Sequence, residues 1–152
     1  MMKNFASTAF AACLLTCLTT ITAASTAHAH EYYAKQFKVI HPWGEPSQAK
    51  DTEAKIFLSF EDIQGDDVLM KATSAVSESV EFRTVVGGKE RVSTELKVEK
   101  PDKTDRLEWF PGKTYLVLKG LKAPLDLARS YPMTLYFRNS GPLSVMISVG
   151  AQ

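Results

Sequence analysis

Apolar residues stand at every second position in several short segments of the chain. In the clearest of these, Lys55–Glu61, the alternating residues are Ile56, Leu58 and Phe60. A period of two places such residues on one face of a β-strand. Similar patterns contain Val80 and Phe82; Val92, Leu96 and Val98, less regularly; Leu116 and Leu118 in Lys113–Lys119; Leu135 and Phe137; and Val145, Ile147 and Val149. The pattern therefore predicts a chain built from short strands.

Turn-forming residues separate these segments. They are Gln64–Asp67, Gly87-Gly88, Pro101–Lys103, Pro111-Gly112 and Asn139–Pro142. A Gly-Gly pair between two β-rich segments favours a tight hairpin. The best helix candidate, Leu121–Arg129, is interrupted by Pro124. We therefore predict an all-β fold, an antiparallel sandwich or barrel, with residues Glu31–Gln36 as a loosely held N-terminal arm.

The first 29 residues have the pattern of a secretory signal peptide. Lys3 precedes an apolar run that is too short for a stable membrane span, and Ala27-His28-Ala29 resembles a cleavage site. We predict residues 1–29 as the signal and 30–152 as one mature domain that begins with His30 and lies in the periplasm without a membrane span. Two alternatives are cleavage after Ala27, which leaves His28 first, and lipidation of Cys17.

Cleavage changes what the composition implies. The full chain carries 18 basic and 17 acidic residues, and the signal contains one of the basic residues and both cysteines, Cys13 and Cys17. The mature protein then has a net charge of zero, which gives no electrostatic basis for binding nucleic acid. Without Cys it has no disulfide, thiolate metal site or Cys nucleophile. Since phosphate-loop, Gly-x-Ser-x-Gly and His-Glu-x-x-His motifs are also missing, we do not expect an enzyme.

Three parts of the chain together resemble a known family. They are Val39–Gly44 followed by Ala54–Phe60; Ser79–Phe82; and Pro111–Lys122, continued by Ala123-Pro124-Leu125 and the closing segments Met133–Phe137 and Leu143–Val149. In order and spacing they resemble the periplasmic copper chaperones of the PCu(A)C type. The resemblance implies a cupredoxin-like antiparallel Greek-key β-sandwich that binds Cu(I). It also implies a periplasmic partner, a copper enzyme such as cytochrome c oxidase or an assembly factor.

The copper ligands of that family are not found at the matching positions. The family uses a His, a later Met and a His-x-Met after Pro-Gly, and these fall on Arg83, near Thr94, and on Tyr115 and Val117. The whole segment from residue 72 to 132 contains no His, Met or Cys. A guanidinium is always charged and repels a cation. The resemblance therefore predicts the fold and the compartment but not the family's copper site.

Two hypotheses for function remain. In the first, the N-terminal amine and imidazole of His30 chelate Cu(II), and His41 adds a third nitrogen if the arm folds back; the alternative for His30 is a solvated residue in a flexible arm. Met70, Met133 and Met146 are expected in the core or on a sheet face rather than as ligands. In the second, the protein is a metal-free binding or scaffolding module in which Arg83 and Tyr115 hold an anion or a partner's carboxylate.

Overall fold

The computed structural model describes residues 30–150, which form eleven β-strands and no helix. The strands are β1 Glu31–Tyr33, β2 Lys38–Gly44, β3 Glu53–Glu61, β4 Asp67–Ser74, β5 Ser77–Val86, β6 Lys89–Ser93, β7 Leu96–Val98, β8 Leu107–Trp109, β9 Thr114–Leu121, β10 Ser130–Phe137 and β11 Gly141–Val149. The predicted all-β fold is confirmed. The predicted signal peptide, residues 1–29, lies outside the described residues, and among those described no helix is long and apolar enough to cross a membrane.

The strands form one continuous sheet in the order β6-β5-β9-β3-β2-β11-β10-β4-β7, with β1 added on β2 and β8 on β3. Every pair is antiparallel except for a short parallel contact of β11 with β2. The two ends of the sheet, β6 and β7, follow each other in the chain. The sheet therefore curves round until it nearly closes into a barrel.

The main hydrophobic core lies inside this curved sheet. Ile56, Leu58 and Phe60 of β3 are each 1% exposed or less, as their spacing predicts. Aromatic rings pack edge to face at its centre, with 4.5 Å between the ring centroids of Phe60 and Trp109. The turn between β5 and β6 is the predicted Gly87-Gly88 pair, and both residues have positive φ, as the tight hairpin turn requires.

A second, smaller apolar cluster lies on the other face of the sheet. Phe57 stands between two core residues of β3, so its ring points away from the core. It packs with Tyr115 and Val117 of β9, and Trp43 and Val85 cover the cluster. This cluster occupies the position where the family resemblance places copper ligands.

The N-terminal arm differs from its prediction as a loosely held segment. Its residues 31–33 form β1, which pairs antiparallel with β2 so that Glu31 lies opposite Ile40 and Tyr33 opposite Lys38. The ammonium of Lys38 also lies 3.6 Å from the carboxylate of Glu31. The arm is therefore held by main-chain and side-chain contacts at once.

Candidate functional site

His30 and His41 are brought together by the pairing of β1 with β2. Extending the register by one residue places His30 opposite His41, and the amide of His41 donates a hydrogen bond of 3.1 Å to the carbonyl of His30. This contact places the backbones of the two histidines side by side on adjacent strands. Both histidines are exposed. The arm thus folds back onto β2, which is the condition under which His41 is predicted to add a third nitrogen.

The backbone of His41 adopts an unusual conformation. Its φ is +45°, in the left-handed region, and the β2–β3 register shifts between Ile40 and Trp43. Such bulges redirect a side chain locally. His41 consequently borders a small cavity of about 190 Å³, whose other walls include both tryptophans of the chain, Trp43 and Trp109.

The side chains around the two histidines do not by themselves provide enough metal ligands for a site. Within residues 30–150, no three His, Cys, Asp or Glu side chains are grouped so that they could hold a metal ion. A three-nitrogen site would therefore need the amine that cleavage before His30 creates. The assignment of His30 and His41 as ligands stays a prediction.

Two positions of the family's copper ligands, Arg83 and Tyr115, belong to a network of ion pairs and hydrogen bonds. Arg83 of β5 lies directly opposite Tyr115 of β9, so the two side chains share one face. The guanidinium bonds to the carboxylates of Glu81 and, at 3.0 Å, Glu90. Both carboxylate partners of Arg83 therefore come from its own chain.

Glu90 also ties Tyr115 into this network. Burial raises the pKa of Tyr115 to about 12, and its hydrogen bond to Glu90 adds to the effect. The same hydrogen bond, aided by the charge of Arg83, lowers the pKa of Glu90. Val117 completes the packing and is 4% exposed, whereas Thr94 is exposed between β6 and β7. The vacated copper position is thus filled with packed and paired side chains.

The three methionines within residues 30–150 are divided between the core and the surface. Met133 is 2% exposed and belongs to the core, whereas Met70 and Met146 are 50% and 36% exposed on sheet faces. This distribution agrees with the expectation that they pack in the core or lie on a sheet face.

Sequence reasoning missed the carboxylate partners of Arg83. A signal for one of them was present, because Glu81 and Arg83 are two residues apart and share a face of a strand. Glu90 becomes a partner only through the β5–β6 hairpin, in which it lies opposite Val85. The hydrogen bond between Tyr32 of β1 and Met146 of β11 also joins two strands whose contact the sequence does not reveal.

The fold is shared with solved PCuAC domains. A structure described as the copper-bound PCuAC domain from PmoF2 has a TM-score of 0.68 and 22% identity, covering 81% of this chain and 99% of that one. The apo PCuAC domain from PmoF1 has a TM-score of 0.66 and 22% identity, covering 81% of this chain and 100% of that one. The solution structure of CuI-DR1885 from Deinococcus radiodurans has a TM-score of 0.61 and 16% identity, with 84% and 85% covered.

Residues 37–149 match the model of a family described as "Putative lipoprotein LpqE-like". This match covers most of the chain, and the chain therefore belongs to the LpqE-like family. No curated protein matches the sequence. The resemblance to the PCu(A)C type that the sequence revealed is confirmed, and the structural likeness shows that the fold is the same.

Proposed function

We propose that this protein is an extracytoplasmic copper-binding protein of the chaperone type. The copper-bound and CuI-loaded relatives of the same fold support a copper function. At sequence identities of 22% and 16%, these relatives do not indicate where a copper site would lie in this chain, so its position is inferred from the chain's own residues. Because paired and packed side chains surround Arg83 and Tyr115, the proposed site lies away from the position of the family's copper ligands.

The single observation that carries the proposal is the pairing of His30 with His41. After cleavage following Ala29, the amine and imidazole of His30 form a chelate, and the imidazole of His41 lies on the adjacent strand. Nitrogen donors in this number suit the tetragonal geometry of Cu(II). No thioether or thiolate is required, so the proposed cargo here is Cu(II) rather than Cu(I).

The position of this site also fits delivery to a partner. Both histidines are exposed at the start of the domain rather than enclosed in the core. A metal held at the surface by few ligands can pass to another protein's ligands without unfolding the carrier. We infer that the partner is a periplasmic copper enzyme or one of its assembly factors.

A Cu(II) titration of protein with a native His30 N-terminus tests the proposal. We expect one Cu(II) per chain to quench the tryptophan fluorescence, because both tryptophans border the cavity beside His41. His30→Ala should abolish tight binding. His41→Ala should weaken it by roughly tenfold or more, since even indirect supports of metal ligands have effects of that size.

Two controls make this result specific. Met70→Ala removes an exposed thioether on β4, outside the proposed site, and should titrate like the wild type. Zn(II), which is not paramagnetic, should bind without comparable quenching. Wild-type protein that is metal-free after copper loading and dialysis would refute the proposal and favour the metal-free binding module.

A further inference from the structure

Tyr32 joins the N-terminal arm to a strand that the arm does not pair with. The parallel ladder between β11 and β2 covers only Ser148 and Val149. Just before it, the amide of Met146 donates a 2.9 Å hydrogen bond to the hydroxyl oxygen of Tyr32. That hydroxyl in turn donates to the carbonyl of Met146 at 3.4 Å. One side chain thus bonds both main-chain groups of a β11 residue.

The same side chain also contacts His30. Residues two apart on a strand share a face, and the rings of His30 and Tyr32 are stacked, with centroids 6.5 Å apart and planes 16° apart. The ring of Tyr32 packs against the main core. His30 therefore rests beside a ring that is fixed at its body by packing and at its tip by hydrogen bonds.

We propose that Tyr32 is the positioning residue of the His30–His41 site. Its hydroxyl clasps β1 to β11, and its ring stacks with the imidazole of His30 and fixes that ligand relative to the barrel. A strand of three residues at a chain end frays readily unless something else holds it. A ligand held in its bound position before the metal arrives loses less conformational entropy on binding. This role rests on the proposed copper function.

Tyr33 offers a matched control on the next residue. It is 72% exposed, points to the opposite side of β1, and donates its hydroxyl hydrogen to the carboxylate of Glu31 at 2.6 Å. Tyr33→Phe therefore also removes a tyrosine hydroxyl from β1, but this hydroxyl bonds to Glu31 and not to β11. Tyr32→Phe keeps the ring and its packing and removes only the clasp.

Amide exchange measured by NMR on the metal-free protein tests the clasp directly. In Tyr32→Phe we expect the amides of Met146 and His41 to exchange about fivefold faster or more, as the loss of a typical hydrogen bond allows. In Tyr33→Phe they should exchange as in the wild type. Circular dichroism checks that both variants keep the fold.

Copper titration of the same proteins then tests the positioning. Tyr32→Phe should raise the Cu(II) dissociation constant several-fold and broaden the copper EPR signal, whereas Tyr33→Phe should change neither. Unchanged exchange in Tyr32→Phe, or faster exchange with unchanged copper affinity, would overturn the inference. If the wild type binds no copper, the proposed function fails, and faster exchange confined to Tyr32→Phe still establishes the clasp.

Discussion

At the scale of single residues, Asp67 is a buried carboxylate that connects two distant turns. It is 2% exposed and accepts hydrogen bonds from the amides of Val68, Asn139 and Ser140 at 2.8–2.9 Å. Burial alone would raise the pKa of Asp67. The hydrogen bonds outweigh burial, the one from the amide of Asn139 contributing most, and hold the pKa below the ordinary value of 3.8. The start of β4 is thereby fixed to the turn between β10 and β11.

Replacing this carboxylate should destabilise the fold. Asp67→Asn presents an amide NH₂ to a site lined with N–H donors, and we expect a loss of about 2 kcal/mol at neutral pH. Chemical unfolding measures it. The control is Asp66→Asn, which removes the same charge from an exposed neighbour. Equal stability of the two variants at pH 7 would contradict this role for Asp67.

The effect of this substitution should also depend on pH. The folded pKa of Asp67 is depressed, so its charge stabilises the fold above the unfolded pKa near 3.8, and this stabilisation is lost as the pH falls through the folded pKa. We therefore expect the difference between wild type and Asp67→Asn to shrink below pH 3.8. Unfolding curves at pH 7 and in stepwise more acidic buffers measure this trend.

At the scale of elements, the sequence predicts the regular strands and misses the irregular ones. The period-two pattern identifies β3, β9 and β11. It misses β4, whose buried Leu69 and Ala72 are three residues apart because the register with β10 shifts between Tyr136 and Phe137. It also misses β2, which is interrupted by the bulge at His41. An added residue breaks the alternation that the prediction depends on.

The candidate site could likewise be predicted only in part from the sequence. His30 and His41 stand out in the sequence as the imidazoles that follow the predicted signal peptide. Their adjacency depends on β1, and a strand of three residues is too short to show a period. The network at Arg83 depends on the register of β5 with β9 and β6, which no local pattern encodes.

The close packing of β2 between its neighbours gives a test at this scale. Gly44 pairs with Ile56 of β3 and Val149 of β11, and a Cβ there would lie 2.7 Å from Ile56 Cδ1 and 3.1 Å from the backbone oxygen of Lys55. Gly44→Ala should therefore lower the free energy of unfolding by about 1–3 kcal/mol through overpacking.

Gly150 is the control for this substitution. A Cβ at that position meets no atom within 4 Å, and Gly150→Ala should leave stability nearly unchanged. Thermal and urea unfolding of the two variants measures the difference. If Gly44→Ala is as stable as Gly150→Ala, the contacts around Gly44 can accommodate a methyl group and the predicted overpacking is wrong.

At the scale of the whole molecule, the chain shares the fold of solved PCuAC domains, but its proposed copper site is not at the position of that family's ligands. Where the family places soft ligands, this chain has an aromatic cluster and a paired guanidinium, which stabilise the sheet without a metal. The proposed site instead uses the N-terminus that the predicted cleavage creates at His30, which β1 joins to the barrel. Such a site exists only in protein whose N-terminus is made by processing at the right bond.

The position of cleavage should consequently determine copper binding. Protein that begins with His30 should bind Cu(II) tightly and respond to His41→Ala. Protein that begins with His28, which lies outside the described residues, should bind through its own amine and imidazole. We expect its affinity to be insensitive to His41→Ala, because a chelate formed at His28 lies two residues earlier in the chain than His30.

Forms with a blocked or displaced amine complete this test. An extra Met before His30, or a chain that begins with a lipid-modified Cys17 as in the predicted alternative, removes the free amine of His30 from the site. Affinity should then fall to the level of His30→Ala. Mass spectrometry of the secreted protein identifies the native N-terminus, and fluorescence titration compares the forms. If the Met-extended form binds as tightly as the His30 form, the amine is not a ligand and the imidazoles alone hold the metal.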